Sequence, residues 1–518
     1  MAEAATAHRV AKDLGARKRL SGWVKLIYGS GDLGMATYGT LRQFFYAIFL
    51  TDVVGLDPRL ASFAAVIGVI WDAINDPLVG RLSDRTRTRW GRRRPFIAAF
   101  AVPYALGFAL LWWAPPWDSQ ILRMISVTLA FMLSDTLQTL VVVPFMTLTA
   151  EMTDDYDERT ELTGYRMAFN LLASLATAVA APMIVNGVVQ GGGTAQQGYV
   201  LVASIFGGAS VLPFLLIAAL VREKPSPATV EQQLSFGRAL RAVWANIPFR
   251  FATGLYVLNW IAVDLVALMI PYFLLYWVGQ GDLLMPVSVF GDETAIQSVV
   301  LGLMLATAMI SVPLWTWLSG RVGKRAAYLI GMGFWALIQS AILLVRPGQM
   351  NLLIALAVLS GLSVSTAHVL PEAIFPDVID WDELRTHTRQ EGAFYGAKNF
   401  FRKLTGALAI FLGLQMLGWF GYQSPPAGAA VFRQADSALT AIRVMTGPGG
   451  LVLVLAAMAI AWYYPLTREK HRRVVRVLDR RRRRDVARRE GPERQPDEPR
   501  GDDRLSLDVD EARKEEAQ

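Results

Sequence analysis

The chain has 518 residues, of which 53% are hydrophobic and only 18% are charged, and its formal net charge is +8. Soluble globular domains carry about 25% charged residues, so this composition indicates a membrane protein and excludes an intrinsically disordered chain. The chain has no cysteine, which excludes disulfide bonds and thiolate metal sites. Its four histidines show no metal-ligand spacing, so no metal centre of that kind is expected.

Apolar runs long enough to cross a bilayer recur along the chain, and we count about twelve. They predict an all-α membrane protein. In chain order the spans are expected at 23–50, 60–82, 95–113, 122–150, 162–184, 199–221, 252–278, 297–319, 326–345, 351–375, 393–420 and 445–465.

The distribution of Lys and Arg predicts how these spans are oriented. Basic residues collect at the N-terminus, in the turns after the second, sixth, eighth and tenth spans, and in the tail. Because basic loops stay inside, both termini are expected in the cytoplasm of a multi-pass protein of the cell inner (plasma) membrane. The positive charge therefore indicates topology, and no nucleic-acid partner is expected.

The longest polar interruption before the tail lies between Arg222 and Arg250 and divides the chain into two halves. Its segment 235–245 is typical of an amphipathic helix at the membrane surface. The tail is rich in arginine, which fits either contact with anionic lipid or a solvated segment. The expected parts are a cytoplasmic segment 1–22, six-helix halves 23–221 and 251–467, a cytoplasmic linker 222–250, and a disordered cytoplasmic tail 468–518.

An internal repeat supports the division into halves. PLVGRLSDR at 77–85 matches PLWTWLSGR at 313–321, each at the end of the second span of its half, and DYDERT at 155–160 echoes DWDELRT at 380–386. Two related six-span halves are typical of the major facilitator fold, in which the substrate site lies between the halves near the membrane midplane. The sequence therefore predicts this fold.

Two aspartates interrupt the second apolar span. Asp72 and Asp76 are four residues apart, so they share one helix face near the middle of the membrane. A charge there costs several kcal/mol unless it is compensated, as in an ion pair that holds helices together or in an ion pathway. With Asn75 and Thr139, the two carboxylates would supply the hard oxygen ligands that an alkali cation needs, so we predict a site for sodium or a proton.

The eleventh span carries the expected countercharge. Lys403 lies well inside the span that starts at Ala393, too deep to reach the membrane surface easily. It could pair with Asp72 or Asp76 when the cation is absent and so couple ion binding to the contact between the halves. The alternative is a lysine beside a water-filled cavity without a coupling role. Further deep polar residues, each expected mainly as a structural partner, are Arg42, Asp135, Arg166, Asp264, His368 and Glu372.

Charged turns on the predicted cytoplasmic side are candidates for a gate. The basic turn 85–94 could pair with the acidic turns near 154–161 and 377–383, and such a set would favour one closed face. The alternative is a pure orientation signal. The candidate gate residues are Asp84, Arg85, Arg159, Asp380 and Arg385.

Several motifs resemble those of a known family, the glycoside-pentoside-hexuronide:cation symporters of the melibiose permease type. The matching stretches are YGSGDLG at 28–34, TDVVGL at 51–56, WDAINDPLVG at 71–80, TRWGRRRP at 88–95, and QEG at 390–392 followed by Lys403. The resemblance implies sodium-site carboxylates at Asp72 and Asp76 with Asn75 and Thr139 beside them, and a coupling lysine at Lys403. It also implies a substrate-binding arginine at Arg166.

The sugar-binding aspartates of that family do not carry over, because their positions are Ala36 and Val142 here. The animal sodium-dependent lysophosphatidylcholine symporters also look similar and also lack the second of these acids. The sequence therefore predicts a symporter driven by sodium or a proton, with a sugar or glycoside as its substrate and a lysolipid or other amphiphile as the alternative substrate. A non-transporting membrane sensor is the alternative from another class.

The remaining expectations concern chemistry and partners. The candidate substrate-binding residues are Arg166, Tyr395, Lys398 and Asn399. No cofactor is expected besides the coupling ion, and the chain lacks a GxxxxGK[ST] phosphate loop, so it is not expected to be an enzyme. We expect a monomer that contacts its substrate, its coupling cation and membrane lipids.

Overall fold

The computed structural model describes residues 19–153, 155–223, 236–282, 286–289, 292–426, 429 and 431–490. Ten helical segments in these residues are long and apolar enough to cross a membrane. The shorter α4 and the first span, formed by α1 and α2, complete twelve spans. The predicted all-α major facilitator architecture of two six-helix halves is confirmed.

The N-terminal half contains seven helices. They are α1 (Gly22–Ser30), α2 (Asp32–Ile48), α3 (Pro58–Arg85), α4 (Arg94–Leu110), α5 (Gln120–Met152), α6 (Tyr156–Gln190) and α7 (Ala195–Leu220). A π-helical turn, Phe49–Val53, extends α2. At Gly31, between α1 and α2, an added Cβ would lie only 2.6 Å from the Phe145 ring, so glycine permits this close approach of α5.

The C-terminal half follows the surface helix α8 (Phe236–Trp244), which lies within the predicted linker. Its helices are α9 (Ile247–Tyr272), α10 (Ile296–Val322), α11 (Lys324–Ala341), α12 (Met350–Thr386), α13 (Glu391–Trp419), α14 (Asp436–Val444) and α15 (Gly450–Trp462). The turns Phe273–Val278, Ile342–Leu344 and Met445–Gly449 extend α9, α11 and α14. Strands β1 (Pro286–Val289) and β2 (Asp292–Ala295) pair antiparallel before α10, a small addition to the helical fold.

Two predicted element ends differ from the structure. Helix α6 begins at Tyr156 and so includes much of the acidic turn, because Asp155 caps it by accepting a hydrogen bond from the Glu158 amide at 2.9 Å. Acidic residues in a first helical turn also interact favourably with the helix dipole. Helix α12 continues through Pro371 and Pro376 to Thr386 and is 37 residues long, so its last turns extend beyond the predicted span.

The expected disordered tail is helical over its first part. Helix α16 (Arg468–Glu490) packs on the end of α12, where Val474 and Leu478 are buried. Arg482 pairs with Glu383 at 3.0 Å, and His471 lies 3.2 Å from Asp380. Burial of two aliphatic side chains, worth about 1.5–3 kcal/mol each, offsets the repulsion between its arginines. Residues 491–518, like 1–18 of the predicted N-terminal segment, lie outside the described residues.

The first and last spans place both described chain ends on one side of the helical domain, called the terminal side below and predicted to be cytoplasmic. On the opposite side Asp57 caps α3, and hydrogen bonds from Arg59 lower the pKa of Asp57 below its ordinary value. The two halves meet along three helix pairs: α3 with α13, α6 with α10, and α2 with α9. Polar side chains in these seams therefore lie at the interface between the two halves.

Candidate functional site

The central polar contact between the halves is made by one lysine and two carboxylates. Lys403 of α13 places its Nζ 2.9 Å from Asp72 Oδ2 and 2.6 Å from Asp76 Oδ2, both on α3. Its Nζ also donates a hydrogen bond of 3.3 Å to the Asp72 carbonyl. The spacing of four residues brings both acids to one face of α3, so a single ammonium can bridge them.

The predicted oxygen ligands are only partly joined to this pair. Thr139 Oγ1 of α5 donates to Asp76 Oδ1 at 3.3 Å. Asn75 is buried, but no described hydrogen bond connects it to either carboxylate, and its amide nitrogen has no partner among the described residues. The described part of the chain holds no group of three His, Asp or Glu side chains close enough to bind one metal ion. Two carboxylates and one hydroxyl thus lie together at the position where the Lys403 ammonium binds.

A third acid belongs to this site. Asp135 of α5 is 2% exposed and lies 3.9 Å from Arg42 Nη1, and its Oδ2 has no described hydrogen-bond partner. It is within electrostatic range of Asp72, Asp76, Arg42 and Lys403. Three carboxylates thus lie near two cationic side chains in an apolar domain.

The substrate candidates on α13 share one helix face. Tyr395, Lys398 and Asn399 recur at helical spacing; Arg402, which was not among the candidates, continues the same face, and Lys403 lies at its edge. Arg402 pairs with Asp264 of α9 at 2.6 Å, and Gln43 of α2 donates to the same carboxylate at 3.2 Å. Because Gln43 belongs to the other half, this face of α13 borders the seam between the halves.

Lys398 is held by a carboxylate and by aromatic rings. Its Nζ lies 2.6 Å from Glu372 Oε2, and Tyr256 donates to the other oxygen of Glu372 at 3.1 Å. Tyr395 is 37% exposed beside Lys398, whereas Asn399 is exposed without a polar contact to another described residue. Glu372 and Asp264 thus each form an ion pair with a basic residue of α13.

Arg166 lies on the N-terminal wall and is already paired. Its Nε lies 2.5 Å from Asp32 Oδ2, and its guanidinium stacks 5.1 Å from the centre of the Phe145 ring. The sequence analysis did not select Asp32, although an acidic residue at the start of the apolar helix α2 could have indicated a functional position. Asp32, Ala36 and Gln43 share one face of α2, so the face that reaches the other half carries an alanine between two polar residues.

The predicted gate residues lie in two sets, one in each half. Asp84 pairs with Arg93, and Arg93 also binds Glu151 at 3.1 Å, all within the N-terminal half. Arg159 donates to the carbonyl of Thr153 at 2.9 Å. In the other half Asp380 pairs with Arg389 at 3.0 Å, and Arg385 is exposed at the end of α12. The described contacts of the basic turn therefore stay in its own half and do not include the expected bridge to 377–383.

On the opposite side a carboxylate that sequence reasoning missed joins the halves. Asp52 accepts hydrogen bonds from Tyr276 and Tyr422, both at 2.5 Å, and Thr51 lies 2.9 Å from the Tyr272 hydroxyl. We call Asp52, Tyr276 and Tyr422 the outer lock. The described polar contacts between the halves lie near the midplane and on the opposite side. We infer from this that a cavity between the halves opens towards the terminal side.

The outer lock gives a direct prediction. Asp52→Asn removes the charge from two hydrogen bonds worth about 1.5–3 kcal/mol each, so the closed outer face is expected to open more often. The chain has no cysteine, so Gly39→Cys, an exposed position on the cavity face of α2, can report this opening. Labelling by an impermeant thiol reagent applied from the opposite side should accelerate at least about tenfold. The control is Asp57→Asn, because the described partners of Asp57 lie in its own half; this variant should leave the labelling rate unchanged. An unchanged labelling rate in Asp52→Asn would refute the outer lock.

Comparison with known proteins identifies the family. The family model described as MFS/sugar transport protein matches residues 27–468. The chain belongs to this family. It is therefore a multi-pass membrane transport protein of the major facilitator type, and its placement among the glycoside-pentoside-hexuronide symporters stays a prediction.

Individual relatives cover most of the chain. An uncharacterized symporter of Synechocystis is 30% identical, over 86% of this chain and 94% of that protein. The sodium-dependent lysophosphatidylcholine symporter 1-A of Danio rerio is 27% identical, over 88% of each chain. Among solved structures, a bacterial homolog of the human lysosomal transporter Spinster aligns with a TM-score of 0.57 at 12% identity, over 85% of this chain and 94% of that one. This last similarity concerns the fold.

Proposed function

We propose that this protein is a cation-coupled symporter in which sodium or a proton binds at Asp72 and Asp76. The observation that carries the proposal is the bridge from Lys403 to both carboxylates across the seam between the halves. A cation at the acids competes with Lys403 for the same charges, so ion binding releases a contact that holds the halves together. The names of the relatives as symporters, one of them sodium-dependent, support the same mechanism.

The charge balance explains why the ion is needed. With all five side chains ionised, the cluster formed by Asp72, Asp76, Asp135, Arg42 and Lys403 would carry one net negative charge, and moving an uncompensated charge through the closed state costs several kcal/mol. One monovalent cation removes that cost. Asp76 is 38% exposed and Lys403 29%, so water and ions reach the site from the cavity in this conformation.

Two substrate classes follow from different observations. The family description supports a sugar or glycoside. A lysolipid-like amphiphile is supported by the similarity to the lysophosphatidylcholine symporters and by Ala36 and Val142, which offer no acid to sugar hydroxyls. The charged pairs Arg166–Asp32 and Lys398–Glu372 flank the cavity instead.

Purified protein in sealed vesicles tests the function and separates the two classes. An imposed inward sodium or proton gradient is expected to drive accumulation of members of one panel, either glycosides or lysolipids, above the level reached without the gradient. Dissipating the gradient with an ionophore should remove the excess. Equal uptake with and without the gradient across both panels would overturn cation-coupled symport of these substrates.

A further inference from the structure

Lys398 lies in a box of aromatic rings closed by one carboxylate. Its Nζ is 5.9 Å from the centre of the Tyr256 ring, 5.8 Å from that of Phe375 and 5.3 Å from that of Tyr395. Glu372 forms an ion pair with Lys398, with its Oε2 2.6 Å from the Lys398 Nζ. We call these three rings and Glu372 the ammonium box. All three rings are within the roughly 6 Å over which an ammonium is attracted by an aromatic face.

The ammonium box has a closed floor and an open side. Tyr256 and Phe375 are buried at 2% and 1% exposure and form the floor. Tyr395 is 37% exposed, and the Glu372 side chain 40%, so the box is accessible from the cavity. A ligand can therefore reach Glu372 without unfolding any helix.

The chemistry of the box selects organic ammonium groups. Alkali ions prefer several hard oxygen ligands, and the box offers one carboxylate and the Tyr256 hydroxyl. Aromatic faces and a single carboxylate instead match an organic ammonium, either a quaternary group, whose charge spreads over alkyl groups, or a primary group, which also donates hydrogen bonds to the carboxylate. The lysine that the chain itself places there shows that the box accommodates a primary ammonium.

We propose that the ammonium box binds an ammonium group of the substrate in exchange for Lys398. This proposal rests on the proposed function in taking the cavity as the substrate path. This exchange leaves Lys398 without its ion-pair partner Glu372. An anionic group on the same ligand can then pair with Lys398. A ligand with both charges leaves the net charge of the cavity unchanged, whereas a simple cation leaves Lys398 unpaired beside it. The favoured ligand is therefore zwitterionic.

Binding to the purified full-length protein tests the box without any ion gradient. The probes are choline, glycine betaine and 3,3-dimethylbutan-1-ol, the uncharged isostere of choline. The wild type is expected to bind betaine several-fold more tightly than choline and to show no binding of the isostere at equal concentration. Lys398→Met should raise choline affinity at least about tenfold and cancel the preference for betaine, because the competitor and the partner of the anion are both removed.

Two further variants test whether Glu372 and Tyr395 contribute to choline binding. Glu372→Gln, which retains an acceptor for Tyr256, should lower choline affinity in the Lys398→Met background at least about tenfold. Tyr395→Leu, at an exposed position, should lower it several-fold. Equal binding of choline and the isostere, or choline binding unaffected by both variants, would overturn the ammonium box. Failure of ion-driven uptake with these affinities intact would overturn the symport proposal alone.

Discussion

Asp76→Asn is expected to abolish ion-driven accumulation of substrate while leaving downhill exchange in place. The substitution keeps the volume and a partner for Thr139 but removes the charge, so the cluster with Asp72 and Lys403 no longer requires a cation. Accumulation under an imposed gradient should fall at least about tenfold, which corresponds to about 1.4 kcal/mol or more of lost coupling. Vesicle uptake with and without the gradient measures the effect.

A matched control separates coupling from folding in this experiment. Asp118→Asn changes an exposed carboxylate in the loop between α4 and α5 and should accumulate substrate as the wild type does. Thermal unfolding of both variants should stay close to that of the wild type, because Asp76 is partly exposed. An Asp76→Asn protein that still concentrates substrate against its gradient would remove Asp76 from the cation site.

Lys403→Met is expected to tighten cation binding and to uncouple it from transport. Removing the ammonium leaves Asp72 and Asp76 without the partner that lies 2.6–2.9 Å away, so a cation gains the full attraction of both acids. The apparent affinity for sodium should rise at least about tenfold, or the proton should bind at correspondingly higher pH. Sodium-dependent thermal stabilisation of the purified variant measures this change.

The conservative variant is the control for Lys403. Lys403→Arg keeps the positive charge and can bridge two carboxylates with its planar fork, so cation affinity should stay near that of the wild type. Transport by Lys403→Met should fall because the ion then remains bound and the halves lose the contact that it displaces. A cation affinity that Lys403→Met leaves unchanged would mean that the ion binds elsewhere.

The two ends of the cavity explain how these charges relate to the transport cycle. The outer lock closes the opposite side through Asp52, whereas the terminal side is open between the predicted gate sets. In a conformation open to the opposite side, the hydrogen bonds of the outer lock must be broken. The predicted gate residues of the two halves must then come closer together. The bridge from Lys403 to α3 lies between these two ends, so its occupancy can bias either state.

Much of the architecture was determined by local properties of the sequence. Apolar length fixed the spans, basic loops set the predicted sidedness, and the spacing of Asp72 and Asp76 placed both on one face of α3. Lys403 stood out because a charge deep in an apolar helix needs compensation. These signals are contained within single helices, so they can be read without knowing which helices touch.

The tertiary structure decided which charges meet. Asp32 with Arg166 and Asp52 with Tyr422 join residues far apart in the chain, and no helical periodicity pairs them. The membership of Asp135 in the cation cluster likewise depends on α5 packing against α3. The helix in the tail was missed because its stability comes from two apolar residues buried against α12, while its own composition is dominated by like charges. The sequence by itself thus determined the fold and pointed to Asp72 and Asp76, whereas the packing of the helices alone decided which side chains these acids meet.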